Sequence, residues 1–96
     1  MIRSLPLVLI FAALLWGCVS APVQEMSDAR QAINAASAAG AARYAEPELV
    51  EARRLLTIAE SNLNRGDYSK ARHYAVGARN SARLAREQAQ EASAGR

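Results

Sequence analysis

The sequence predicts an all-α protein: a short three-helix antiparallel bundle, built around a helical hairpin, behind an N-terminal signal segment. Three observations predict it. Alanine supplies twenty of the 79 residues after position 17, and it is the strongest intrinsic helix former. Apolar residues recur at spacings of three and four, the period of a helix face. Valine and isoleucine are too sparse and scattered to build strands.

Residues 1–17 read as a signal peptide. Arg3 gives a short positive start, and Leu5–Trp16 is an apolar run of twelve residues with Pro6 near its beginning. A membrane-spanning helix needs about 20 such residues, so the run fits the apolar core of an export signal. Its end, Leu15-Trp16-Gly17-Cys18, resembles the lipobox of bacterial lipoproteins, with Trp16 where a small residue is usual. That resemblance implies cleavage before Cys18, a lipidated (palmitate-type) Cys18, and a lipoprotein held by several acyl chains, which anchor far more firmly than one. Val19 is not the aspartate that keeps such proteins in the inner membrane. The implied address is the outer membrane, on its periplasmic face.

The mature part has limited means. A chain of this length builds one small core and often depends on a partner. Its large apolar side chains are few, so its helices should form readily and pack at close spacing around small residues. Eleven basic side chains face nine acidic ones once Arg3 is removed, a balance that does not point to nucleic acid. Cys18 is the only cysteine and His73 the only histidine, which leaves no internal disulfide and no metal-ligand cluster. Nothing in the sequence asks for a cofactor. No phosphate-cradling glycine loop and no acid–base pair with useful spacing is present, so the expectation is not an enzyme.

The elements follow in order. Residues 18–26 read as the lipidated cysteine and a tether, with Pro22 keeping the tether out of helix. The helical domain is expected over 27–92, with helices at about 27–43, 47–65 and 67–91, and a frayed end at 93–96. Ser27 or Asp28 can cap the first helix, whose stripe is Ala29, Ala32, Ile33, Ala36 and Ala39. Gly40 weakens that pattern, and the helix should stop around Arg43–Glu46. Pro47 suits a first helical position and disfavours a helical Glu46 before it. Leu49, Ala52, Leu56, Ala59 and Leu63, widened by Leu55, make the best core face. Gly66 can take the left-handed conformation that ends a helix, and Asp67 can cap the next one. The third helix carries Tyr68, Ala71, Ala75, Ala78, Ala82, Ala85 and Ala89 at coiled-coil spacing.

The candidate site is an edge of that third helix. Arg72, Arg79 and Arg86 fall seven apart, Arg83 lies between the last two, and no acid occurs from Tyr68 to Arg86. As a solvated flank, Arg72 would sit near Glu60 and Arg83 near Glu87, in exposed pairs worth about 0.2–0.5 kcal/mol each. As a docking edge, the arginines would meet an anionic partner. Tyr44 and Tyr74 are expected to pack, Tyr68 to cap the hairpin core near the turn, and His73 to lie on the surface.

Several runs resemble one family: Met26–Ile33, Ala41–Leu49, Glu51-Ala52-Arg53, and Gly66-Asp67-Tyr68 with Ala71-Arg72. The sequence is similar to the DUF4398 family over roughly 24–92. The Tyr44–Leu49 corner and the Gly66-Asp67-Tyr68 turn are the most specific pieces. The resemblance implies a small α-helical domain in a Gram-negative envelope protein, commonly behind a lipoprotein signal, and it carries no assigned activity. The functional expectation is therefore a non-catalytic, outer-membrane-anchored periplasmic lipoprotein. It would act as a helical scaffold or docking partner for another envelope component, or associate with itself. The alternatives are binding of anionic lipid or glycan, cell wall included, through the basic edge, and regulation of an envelope enzyme.

Overall fold

A computed structural model describes residues 21–95. The expected signal peptide, Cys18 and the start of the tether lie outside the described residues, as does Arg96. Among the described residues there are four helices and no strand: α1 (Val23–Ala38), α2 (Ala41–Tyr44), α3 (Glu46–Asn64) and α4 (Tyr68–Ala94).

α1 starts earlier than its sequence suggests. Pro22 occupies the cap position, and its carbonyl accepts the Met26 N–H at 3.0 Å. Residues 23–26, expected in the tether, form the first turn, and Met26 is only 1% exposed. A proline just ahead of a helix costs no hydrogen bond, because the first turn's N–H groups have no helical acceptors. Ser27 and Asp28 are consequently inside the helix rather than capping it. Asp28 accepts from the Gln24 amide at 2.9 Å, and Ser27 from Gln31 at 3.3 Å.

Gly40 splits the expected first helix in two. Its φ of 93° is left-handed, its N–H closes on Ser37 O, and its own carbonyl restarts the chain as one-turn α2. Tyr44 then packs beside Gly40, partly buried against the core, with the Arg43 guanidinium 5.2 Å from its ring centre. Pro47 sits in the first turn of α3 as expected, but Glu46, expected outside the helix, is its first residue, and Ala45 is the cap; a proline restrains the residue before it without forbidding a helix start there.

The α3–α4 turn closes as a paired C-terminal motif around Gly66, whose φ is 81°. The Gly66 N–H bonds Leu63 O at 3.0 Å and the Asp67 N–H bonds Asn62 O at 2.9 Å, satisfying two carbonyls that a helix end otherwise leaves open. Asp67 holds the cap position of α4, but its side chain makes no capping bond; its carbonyl accepts the Ala71 N–H. Tyr68, expected to cap the hairpin core, is 41% exposed. It stands ahead of the buried alanine line, which begins at Ala71.

α4 is the spine. Its alanines 71, 75, 78, 82, 85 and 89 are all fully buried, and both α1 and α3 pack along it while touching each other much less. Side-chain ties give the directions. Arg72 reaches Glu25, near the start of both helices, so α1 and α4 run the same way. Gln88, with its amide nitrogen turned toward Glu48, donates to that carboxylate at 3.1 Å, which sets α3 opposite to α4. Arg30–Glu60 at 3.7 Å and Arg53–Ser37 at 3.3 Å set α3 opposite to α1 as well. Ile33, Ala36, Leu49 and Ala52 share one core cluster with Ala82, Ala85 and Ala89, while Met26 and Ala59 gather with Ala75. Leu56, Leu63 and Tyr74 pack against these clusters partly buried. The one buried polar side chain among the described residues, Asn62, donates to Ile58 O at 2.9 Å.

Two expectations follow for unfolding followed by circular dichroism. Ala82→Leu forces a large side chain into the closed seam and should cost about 1–3 kcal/mol, whereas Ala92→Leu on the exposed end should stay within about 0.5 kcal/mol. Equal effects would mean that the seam is not tightly packed. Glycines should divide by conformation. Gly66→Ala is strained by its positive φ and should cost about 1–2 kcal/mol. At Gly77, inside α4, a methyl would meet only Leu55 Cδ1 at 3.4 Å, so Gly77→Ala should stabilise by about 0.5–1 kcal/mol. A Gly77→Ala loss would show that α3 and α4 are closer there than the geometry indicates.

Candidate docking surface

The α4 seam uses the narrow face that its six alanines define, and the arginines lie on one shoulder of it. Positions 72, 79 and 86 are two turns apart, and 83 stands one turn from both 79 and 86. α1 packs on that shoulder, so what the arginines meet is decided by α1.

The four do not form one uniform edge. Arg72 is tied down: its Nε donates to Glu25 Oε1 at 3.1 Å, with both side chains partly covered. The expected Arg72–Glu60 pair is absent because Glu60 pairs with Arg30 instead. The early start of α1 places Glu25 beside the first turns of α4, a neighbour that a tether could not supply. Arg79 donates through Nε and Nη2 to the neutral Asn80 Oδ1, at 3.4 and 3.2 Å. Arg83 and Arg86 line an open groove of about 360 Å³ between α1 and α4. The expected Arg83–Glu87 pair does not form. Among the described residues no carboxylate oxygen lies within 4.0 Å of Arg79, Arg83 or Arg86.

α1 supplies the rest of the groove through Asp28, Gln31, Ala32 and Ala35. Asp28 and Gln31 stand on the far wall, and the two alanines leave the space between the helices unfilled. Sequence reasoning placed Asp28 at a cap and missed this wall. The available signal was a second small stripe on α1, Ala32, Ala35 and Ala39, offset from the buried stripe Ala29, Ile33 and Ala36. Two different small stripes on one helix mean two different faces, and only one of them can meet α3 and α4 together.

Chemically, the groove can hold anions. Two guanidinium groups offer ten N–H donors in planar forks, geometry that matches carboxylate or phosphate oxygens. α3 carries a local ion pair instead. There Arg54 grips Glu51 through two bonds, at 2.6 and 2.9 Å, and this hydrogen bonding holds the Glu51 carboxyl below its usual range. His73 lies on the surface and meets Tyr74 edge-on, ring centres 5.4 Å apart. No group of three or more His, Cys, Asp or Glu side chains gathers as metal ligands among the described residues, and no described helix is long and apolar enough to cross a membrane.

Comparison with known proteins gives one match. No curated protein and no solved structure is matched. The family model described as "Domain of unknown function (DUF4398)" covers residues 24–96, which takes in nearly all of the described helices. It reaches the Gly40 break, the Tyr44–Leu49 corner, the Gly66 turn and the whole α4 seam, and on that coverage the chain belongs to the DUF4398 family.

Proposed function

We propose that this protein is a non-catalytic docking module of the bacterial envelope. In this reading Cys18 is lipidated after removal of residues 1–17, and the acyl chains hold the protein on the periplasmic face of the outer membrane. The helices from Val23 onward form a bundle of three long members with α2 as a one-turn corner, presented to another envelope component.

One observation carries the docking part: α4 presents Arg79, Arg83 and Arg86 beside an open groove, and the fold itself makes no ion pair with them. Like charges stacked on one helix edge repel, and neutral residues would avoid that cost. An external anionic partner gives the arrangement a use. A second reading, binding of anionic lipid headgroups or wall glycan by the same edge, draws on the same arginines. The concave shape of the groove favours a protein segment over a flat anionic surface. The anchoring part draws on the Leu15–Cys18 lipobox resemblance.

The test is made on the full chain in its native cells. Mass analysis of the mature protein should find Cys18 as the first residue, bearing a diacylglyceryl group and an amide-linked acyl chain. Cys18→Ala should leave the membrane fraction. An unmodified Cys18, or a Cys18→Ala protein that stays with the membrane, would contradict the anchoring reading.

A further inference from the structure

We propose that the α1–α4 groove seats an acidic amphipathic helix of a partner protein, its carboxylates on Arg83 and Arg86 and its apolar side chains over Ala32 and Ala35. This rests on the docking reading above and names the chemistry of the partner.

The charges around the groove are unevenly satisfied. On the α1 wall, Asp28 already accepts the Gln24 amide at 2.9 Å, and Glu25 already holds Arg72 at 3.1 Å. On the α4 wall, Arg83 and Arg86 have no carboxylate oxygen within 4.0 Å among the described residues, although Asp28 lines the same groove, and Arg79, one turn before Arg83, bonds a neutral amide. Two guanidinium groups against the single Asp28 carboxylate leave the groove with a net demand for carboxylates, carried by the α4 wall. An occupant bearing acids along one edge and apolar residues along the next would satisfy it.

Spacing points to a helix. Arg79, Arg83 and Arg86 repeat at four and three residues and span about 10 Å of α4, at a rise of about 1.5 Å per residue. A neighbouring helix with acids at the same intervals keeps pace with them, as flanking charges do in coiled coils. The alanines provide the second half of the contact. With only a methyl on each, Ala32 and Ala35 leave room for large side chains from a helix laid in the groove, the usual way such grooves are filled.

Two other occupants fit worse. A membrane surface is flat, whereas the groove between the two helices is concave. Among the described acids of a second copy that make no ion pair, Glu87 and Glu91 are the two spaced four apart, and Arg83 and Arg86 stand on the same helix beside them. The copy's own positive edge would accompany its negative one into the groove.

The experiment places the photocrosslinker benzoylphenylalanine in the full chain, in its native cells, at Gln31 in the groove or at Thr57 on exposed α3. Crosslinked peptides are then sequenced by mass spectrometry. Gln31, and not Thr57, should capture one protein segment carrying Asp or Glu at intervals of three and four. Arg83→Gln with Arg86→Gln should lower the yield about tenfold or more, the scale of two lost charge-assisted contacts, while Arg83→Lys with Arg86→Lys keeps a larger share. Ala35→Leu, which fills the groove from inside, should also block capture. Circular dichroism of each variant checks that the helices persist, and the exposed, unpaired arginines can be changed without opening the core. Capture of lipid, of glycan, of a second copy, or of a segment without that acidic spacing would overturn the proposal, as would yields indifferent to the arginines. Protein capture at Thr57 alone would sink the groove inference and leave the docking reading standing. No protein captured at either position would sink both.

Discussion

Everything in this protein depends on six methyl groups. Ala71, Ala75, Ala78, Ala82, Ala85 and Ala89 form a line on α4 that is wholly removed from water, and both α1 and α3 lie against it. A buried methyl contributes only about 0.8 kcal/mol through the hydrophobic effect, so the line does not stabilise by area alone. Its value is proximity. With nothing larger than Cβ on α4, two other helices approach closely enough for their backbones and their own small residues to make dispersion contacts that Leu-on-Leu packing would hold apart. The few large side chains, Met26, Ile33 and Leu49, then need only fill the wedges between three close cylinders. Alanine also keeps each helix stable by itself, so less of the folding free energy has to come from packing.

The same economy creates the candidate site. α4 is long enough to serve both neighbours, and α1 covers one shoulder of its seam with residues too small to close the gap. Where α1 offers a carboxylate, at Glu25, the arginine opposite is drawn in and held. Where it offers Ala32 and Ala35, the arginines opposite are left beside open space. The α3 flank shows the contrast. There Leu55 packs on Gly77, Glu48 faces Gln88, and Arg54 holds Glu51. The groove stays open because the residues that α1 presents there, Ala32 and Ala35, are too small to close it.

Local signals were legible from the sequence and non-local ones were not. The α4 seam, the Leu49–Ala59 face, Pro47 at the start of α3 and the Gly66 reversal all follow from periodicity and backbone chemistry within a few residues. Gly40 was visible as a weak point, but whether a glycine is tolerated inside a helix or breaks it depends on what the chain must do next. Here it must turn so that Tyr44 and Ala45 reach the core. Pro22 and Met26 were misread because a proline marks a helix start as readily as its exclusion, and only the core behind Met26 decides between them. The partners of Arg72 and Glu60 depended on where α1 begins and which way it runs beside α4. The arginine edge was visible, whereas the groove needed both helices in place.

The account's central claim is that one alanine line holds α1 and α3 to α4 as a single cooperative unit. Native-state hydrogen exchange on the full chain tests it most directly, because it reads the opening free energy of each helix separately. The slowest amides of α1, α3 and α4 should exchange through one shared opening, with the same free energy and the same dependence on denaturant. Amides of α1 that open at markedly lower free energy, with α3 and α4 still protected, would contradict it. In that case α1 would be an attachment to a two-helix hairpin, and the groove it borders would not be a fixed feature of the molecule.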